Sequence, residues 1–276
     1  MSYVTTDDKT RLYVKDWGSG DPVILIHGWP LSADSWDDQA LAIAEAGYRA
    51  IAYDRRGFGR SDQPWNGYDY DTLADDLASV IDQTGARNAT LVGFSMGGGE
   101  VARYLNRHAG HSVAKAVLIS SVLPYRLQSE DNPLGTEQAA FDKIALALKE
   151  DRPSFLTGFF KTFFGVGMLS SPVSNELLCW AAGVSMQAGL NATLGCLKAF
   201  STSDFRPDLA AFKVPTLIIH GTADETVPID ASARPAHQGI AGSQLIEYDG
   251  SPHGLFATDK ARLTQDLLTF LRRVPA

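Results

Sequence analysis

The chain is predicted to be an α/β protein with a mostly parallel central sheet, helices on both faces and an inserted helical segment. Three observations predict this. Short apolar runs alternate with stretches of helical period along most of the sequence. The runs are continuous rather than alternating, which suits strands covered on both faces. The alternation lapses once, between about residues 123 and 202, where no strand signal occurs.

The elements follow in order. Tyr3-Val4-Thr5 and Leu12-Tyr13-Val14 flank Asp7-Asp8-Lys9, a hairpin signal. Strands are expected over residues 23–26, 50–53, 90–94, 114–119, 216–219 and 244–248. Leu73, Leu77, Val80 and Ile81 recur at helical spacing, with Gly85 as a stop. A helix is expected over residues 98–109, and a last one on Leu263, Leu267, Phe270 and Leu271. In the interrupted stretch, Phe141, Ile144 and Leu148 mark an amphipathic helix. An aromatic segment follows: Phe155, Phe159, Phe160, Phe163 and Phe164 form either ordinary helix core or the inner face of a cap over a pocket. Leu123-Pro124 and Asp204-Phe205-Arg206-Pro207 are the expected exit and re-entry points. The division is therefore a core of residues 1–122 and 203–276 with a helical cap of 123–202.

Composition sets bounds. The chain has 276 residues, 45% hydrophobic, and a net charge of −8. That length suits one large α/β domain with an insertion. The charge disfavours nucleic acid or an anionic membrane as partner. No apolar stretch is long enough to span a bilayer. The first residues, Met1-Ser2-Tyr3-Val4, lack a basic-then-apolar pattern, so no signal peptide is expected. Cys179 and Cys196 lie among apolar neighbours without a C-x-x-C pattern and are expected to be buried thiols in a reducing cytoplasm.

Chemistry centres on Gly93-Phe94-Ser95-Met96-Gly97, which sits behind an apolar run and opens a helix. G-x-S-x-G in a strand–turn–helix context is a nucleophile elbow: the turn leaves no room for side chains on its flanks, and the serine hydroxyl is exposed. A serine needs a base, and the base an orienting acid. Two loops at the carboxyl ends of later strands supply candidates in the order serine, acid, histidine: Asp224 and His253. Glu225 and Asp230 are read as solvated charges. His108, His111 and His237 are read as exposed, and His27 and His220 as loop braces. Acyl transfer also needs donors to the developing oxyanion. The backbone N–H of Met96 and that of Trp29, in His27-Gly28-Trp29-Pro30, fit; Pro30 has no N–H to offer. Trp29, Val122, Phe159, Phe163, Val227 and Leu255 are expected to line the substrate pocket.

Together these segments resemble the cofactor-free haloperoxidase and aryl-esterase group of the α/β-hydrolase fold. The resemblance rests on His27-Gly28-Trp29-Pro30, Tyr53-Asp54-Arg55-Arg56-Gly57-Phe58-Gly59-Arg60-Ser61-Asp62, the elbow with Gly98 and Gly99, Thr202-Ser203-Asp204-Phe205-Arg206, Thr216-Leu217-Ile218-Ile219-His220 with Asp224, and Pro252-His253-Gly254. It covers nearly the full length and is weakest in the cap. It implies a Ser95–Asp224–His253 triad, an oxyanion hole at Trp29 and Met96, and hydrolysis of aryl or short-chain carboxylic esters. It also implies formation of peracids from carboxylic acids when hydrogen peroxide replaces water, with no metal or other cofactor, and frequent homo-oligomers. The segment Asp54 to Asp62 is read as a buried polar brace.

Alternatives remain at this level. Haloalkane dehalogenases and epoxide hydrolases carry an aspartate at the elbow, and Ser95 argues against both. Lactonases, γ-lactamases and carbon–carbon hydrolases share a serine triad and stay open. A non-catalytic ligand receptor of this fold is disfavoured, because all three triad members are present.

Overall fold

The computed structural model describes residues 2–273; Met1 and residues 274–276 lie outside the described residues. Eight strands form one sheet: β1 Tyr3–Thr5, β2 Arg11–Gly18, β3 Pro22–Ile26, β4 Arg49–Tyr53, β5 Ala89–Phe94, β6 Val113–Ile119, β7 Thr216–Gly221 and β8 Gln244–Tyr248. Their order is β1-β2-β4-β3-β5-β6-β7-β8. The β1–β2 hairpin is antiparallel, β2 is antiparallel to β4, and all later pairs are parallel. The helices are α1 Asp37–Glu45, α2 Tyr70–Thr84, α3 Met96–Arg107, α4 Gln138–Phe163, α5 Asn175–Met186, α6 Leu190–Thr202, α7 Ala233–Gly239, α8 Leu255–Thr258 and α9 Lys260–Leu271.

The continuous apolar strands serve two cores. Successive side chains point to opposite faces, so Ile24 and Ile26 join Leu73, Leu77 and Val101 on one side. Val23 and Leu25 join Trp36, Ile43 and Leu263 on the other. Gly85 closes α2 in the left-handed conformation, φ +66°. Helix α3 starts at Met96, two residues earlier than its apolar pattern suggested, and the serine itself becomes its N-terminal flank.

Helices α4, α5 and α6 all fall between β6 and β7. The exit and re-entry segments meet: Tyr125 bridges Asp204, and the Phe205 N–H donates to the Pro124 carbonyl at 2.9 Å. Helix α4 breaks its phase at Asp151 (φ −150°, ψ 80°), two residues before Pro153. Asp151 Oδ1 accepts the Ser154 N–H at 3.0 Å, capping a new helical stretch in whose first turn Pro153, which has no N–H, is tolerated. Among the described residues no helix is long and apolar enough to cross a membrane.

Three local expectations are corrected. Cys196 is buried, but Cys179 is exposed on α5; apolar neighbours in sequence do not decide which face of a helix a residue occupies. His108 and His237 are half-buried rather than exposed. His108 stacks on Tyr104 and meets Asp75 at 2.8 Å, and His237 meets Ser243 Oγ at 2.8 Å.

Candidate active site

Strand β5 runs straight into the elbow. Ser95 has φ +53° and ψ −117°, a strained conformation for a non-glycine residue. The flanking glycines are required by space. A Cβ on Gly93 would stand 2.5 Å from the Gly97 carbonyl oxygen, and one on Gly97 would stand 2.6 Å from that of Ile26. Ser95 forms no side-chain cap on α3, so its hydroxyl is free for another partner.

That partner is His253. Its Nε2 lies 3.0 Å from Ser95 Oγ, and its Nδ1 lies 2.6 Å from Asp224 Oδ2. All three side chains are buried. The two loops that carry the acid and the imidazole are tied together, the Ala223 N–H donating to the Ser251 carbonyl at 3.1 Å. Asp224 Oδ1 accepts the N–H groups of Thr226 and Val227 at 2.9 and 2.7 Å. Burial alone would raise the Asp224 carboxyl. The adjacent His253 and the hydrogen bonds from His220 and His253 outweigh that and hold it well below the usual carboxylate range. Glu225 is exposed, and Asp230 pairs with Arg234 at 2.5 Å.

The Met96 N–H starts α3 and has no carbonyl four residues back within the helix. The Trp29 N–H takes part in no described backbone hydrogen bond. The loop after β3 that carries it is fixed from below. His27 Nε2 accepts the Arg55 N–H at 2.9 Å, and burial, reinforced by the Arg55 charge, holds the ring neutral. Arg55 also reaches the His27 carbonyl at 2.8 Å and the buried Glu100 carboxylate at 2.9 Å. Asp54 accepts the Ala33 and Arg60 N–H groups, each at 2.8 Å. The segment Asp54 to Asp62 is therefore a polar brace, buried over residues 54–58 and at Ser61, with Arg60 and Asp62 only half-buried. From above, the Trp29 indole donates to the Thr193 carbonyl at 3.0 Å, joining this loop to α6.

A small inner cavity of about 60 Å³ contains Ser95, His253, Trp29, Val122, Phe159 and Val227 in its lining. It shares Arg126, Phe141, Ile144, Phe159 and Thr226 with an outer cavity of about 680 Å³. Phe163 and Leu255, expected in the pocket, do not line the inner cavity. Both are buried in the second core. Phe163 follows Phe159 by one turn on the same stretch of α4 and lies edge-on to the His253 ring at 4.8 Å. Leu255 begins α8 just after the histidine and points into the core. The aromatic segment thus does both jobs left open by its pattern: Phe159 lines the cavity, while Phe160, Phe163 and Phe164 are core. Sequence reasoning missed Arg126, Phe141, Ile144, Phe200 and Thr226 in the lining. Phe141 and Ile144 were legible only as the apolar face of a helix; the one signal for Arg126 was a basic residue in the segment that follows the carboxyl end of a strand. Among the described residues no group of His, Cys, Asp or Glu is placed to hold a metal ion.

Known proteins match the chain over nearly its full length. The profile of the alpha/beta hydrolase fold family matches residues 21–260. A bifunctional esterase/perhydrolase from Acinetobacter calcoaceticus is 42% identical over 99% of this chain and 100% of its own length. A non-heme chloroperoxidase from Kitasatospora aureofaciens is 41% identical over the same shares. Among solved structures, a bromoperoxidase from Bacillus anthracis superposes with a TM-score of 0.95 at 44% identity, covering 98% of this chain and 99% of that one. An esterase from Exiguobacterium antarcticum gives 0.94 at 36% identity, covering 99% of both.

Proposed function

The chain belongs to the α/β-hydrolase family, and from that premise we propose that Ser95, His253 and Asp224 carry out its hydrolysis of carboxylic esters. The observation that carries the assignment is the imidazole of His253, with one nitrogen 3.0 Å from the serine hydroxyl and the other 2.6 Å from a buried carboxylate.

Ser95 Oγ attacks the ester carbonyl while His253 Nε2 takes its proton. Asp224 fixes the ring with its proton on Nδ1 and stabilises the imidazolium. The N–H groups of Met96 and Trp29 receive the oxyanion. The alcohol leaves with the proton from His253, and an acyl-Ser95 remains. His253 then activates water, which releases the acid. Hydrogen peroxide in place of water releases a peracid, and the peracid oxidises halide; this step supports the peroxidase names carried by the relatives. The small inner cavity supports short acyl groups. Residues 123–202 serve as the cap that shapes it. The two free thiols support a reducing, cytoplasmic setting.

The test is Ser95→Ala assayed on p-nitrophenyl acetate. Loss of about 10⁴- to 10⁶-fold in kcat is expected with the fold intact. A folded variant that keeps more than a few per cent of the rate would overturn the assignment.

A further inference from the structure

Arg126 is a buried cation with an incomplete set of partners on the wall of the ester site. It is 6% exposed. One terminal nitrogen, Nη2, donates to the Thr226 carbonyl at 2.9 Å and to Thr136 Oγ1 at 3.3 Å. Its Nε is buried with no partner at all. The contrast with the other deeply buried arginines is direct: Arg55 pairs with Glu100 and Arg56 with Asp76. Among the described residues no carboxylate lies within ion-pair distance of Arg126. Asp224 supports its charge, but that carboxylate is already held by His253, His220 and two backbone N–H groups. Burial pulls the guanidinium down to about 10, which still leaves a cation at neutral pH.

A buried charge without a counter-charge is costly, and a ligand that supplies one recovers much of that cost. The surroundings narrow the ligand. Of the residues lining the inner cavity, Arg126 alone carries a fixed charge; the rest are mainly apolar or belong to the triad. Glu150, Asp151 and Glu225 line the outer cavity and repel an anion there. An anion therefore gains only at the Arg126 end, in the cavity that Ser95 also lines.

We propose that Arg126 determines specificity by binding a second carboxylate on the substrate, so that the preferred esters are short and anionic. The guanidinium fork matches a carboxylate, and such charge-assisted bonds are about twice as strong as neutral ones. This rests on the ester-hydrolase reading above. The small inner cavity keeps the carboxylate only a few bonds from the scissile carbonyl, on either the acyl or the alcohol side.

The test compares matched esters in the wild type, Arg126→Met and Arg126→Lys. Monoethyl glutarate against ethyl pentanoate probes the acyl side. Para-acetoxybenzoate against para-cresyl acetate probes the alcohol side. In one pair the wild type should favour the anion, and the Met variant should lower the anion-to-neutral ratio of kcat/KM by about 10- to 100-fold, chiefly through KM. The Lys variant should lose less. The responding pair identifies the side. If neither ratio changes while the neutral esters are still cleaved through Ser95, Arg126 only braces the loop at Thr226, and the proposal fails while the esterase reading stands. If the Met variant does not fold, competitive inhibition of the wild type by glutarate against glutaramide decides: glutarate binding no tighter than glutaramide overturns the proposal.

Discussion

His220 Nε2 stands 3.2 Å from Asp224 Oδ2, the same oxygen that receives His253 Nδ1 at 2.6 Å. That nitrogen also lies 2.7 Å from the Val227 carbonyl, while Nδ1 is buried without a partner. The proton therefore sits on Nε2, and His220 acts as a fixed donor behind the acid. Replacing it by Phe keeps a ring and removes the donor. The Asp224 carboxylate, relieved of one hydrogen bond, then holds the His253 imidazolium more tightly. We expect kcat/KM to fall about tenfold, the worth of one good hydrogen bond, and the acid limb of the pH–rate profile to move to higher pH. A limb that stays put or moves to lower pH contradicts this role.

Asp224 also links stability to pH. Its carboxyl is held below the usual range in the folded protein, whereas the unfolded chain titrates near 3.8. The folded state thus binds this proton later than the unfolded state. The stabilisation is complete above about pH 3.8 and is lost as pH falls toward the folded value. Asp224→Asn removes this contribution. Urea midpoints should fall less steeply with acid in the variant than in the wild type; equal slopes would contradict the depressed carboxyl.

Two glycines give opposite expectations. In Gly93→Ala the new methyl meets the Gly97 carbonyl oxygen at 2.5 Å and the Gly98 nitrogen at 2.7 Å, both backbone atoms that cannot step aside. Overpacking of this kind costs about 1–3 kcal/mol or more. Gly183, inside α5, has open space around the added methyl. There the same change should stabilise by about 0.5–1 kcal/mol through helix propensity. Denaturant midpoints moving in the same direction for both would contradict the packing described at the elbow.

Phe159 closes the inner cavity, its ring edge-on to Trp29 at 5.4 Å. Phe159→Ala should open that cavity toward the outer one and lengthen the preferred acyl chain. Each methylene that finds apolar room is worth about 0.8 kcal/mol, so two should raise the octanoate-to-acetate ratio of kcat/KM about tenfold. The measurement is a p-nitrophenyl ester series on both proteins, and an unchanged ratio would place the acyl group elsewhere.

The sheet was legible because its strands must satisfy two cores at once, which leaves continuous runs such as 23–26 and 90–94. The elbow was legible because steric exclusion demands glycine at Gly93 and Gly97. The loops of Asp224 and His253 were legible because each follows a strand. The cap was not. Periodicity names the apolar face of a helix but not what lies opposite: Phe159 and Phe163, one turn apart on α4, share a face, yet only Phe159 lines the inner cavity. Leu255 shows that standing beside a histidine in sequence does not aim a side chain at the same cavity. The part of His220 was half visible: a loop brace was expected, but a contact with the acid needs coordinates.

Ester hydrolysis is proposed to pass through an acyl group on Ser95. Acid-quenching the enzyme during turnover of p-nitrophenyl acetate, followed by mass analysis of the intact chain and its peptides, tests it directly. At most one acetyl group per chain is expected, located on Ser95 and absent from Ser95→Ala. An acetyl group that forms and decays at the turnover rate on any other residue would contradict it.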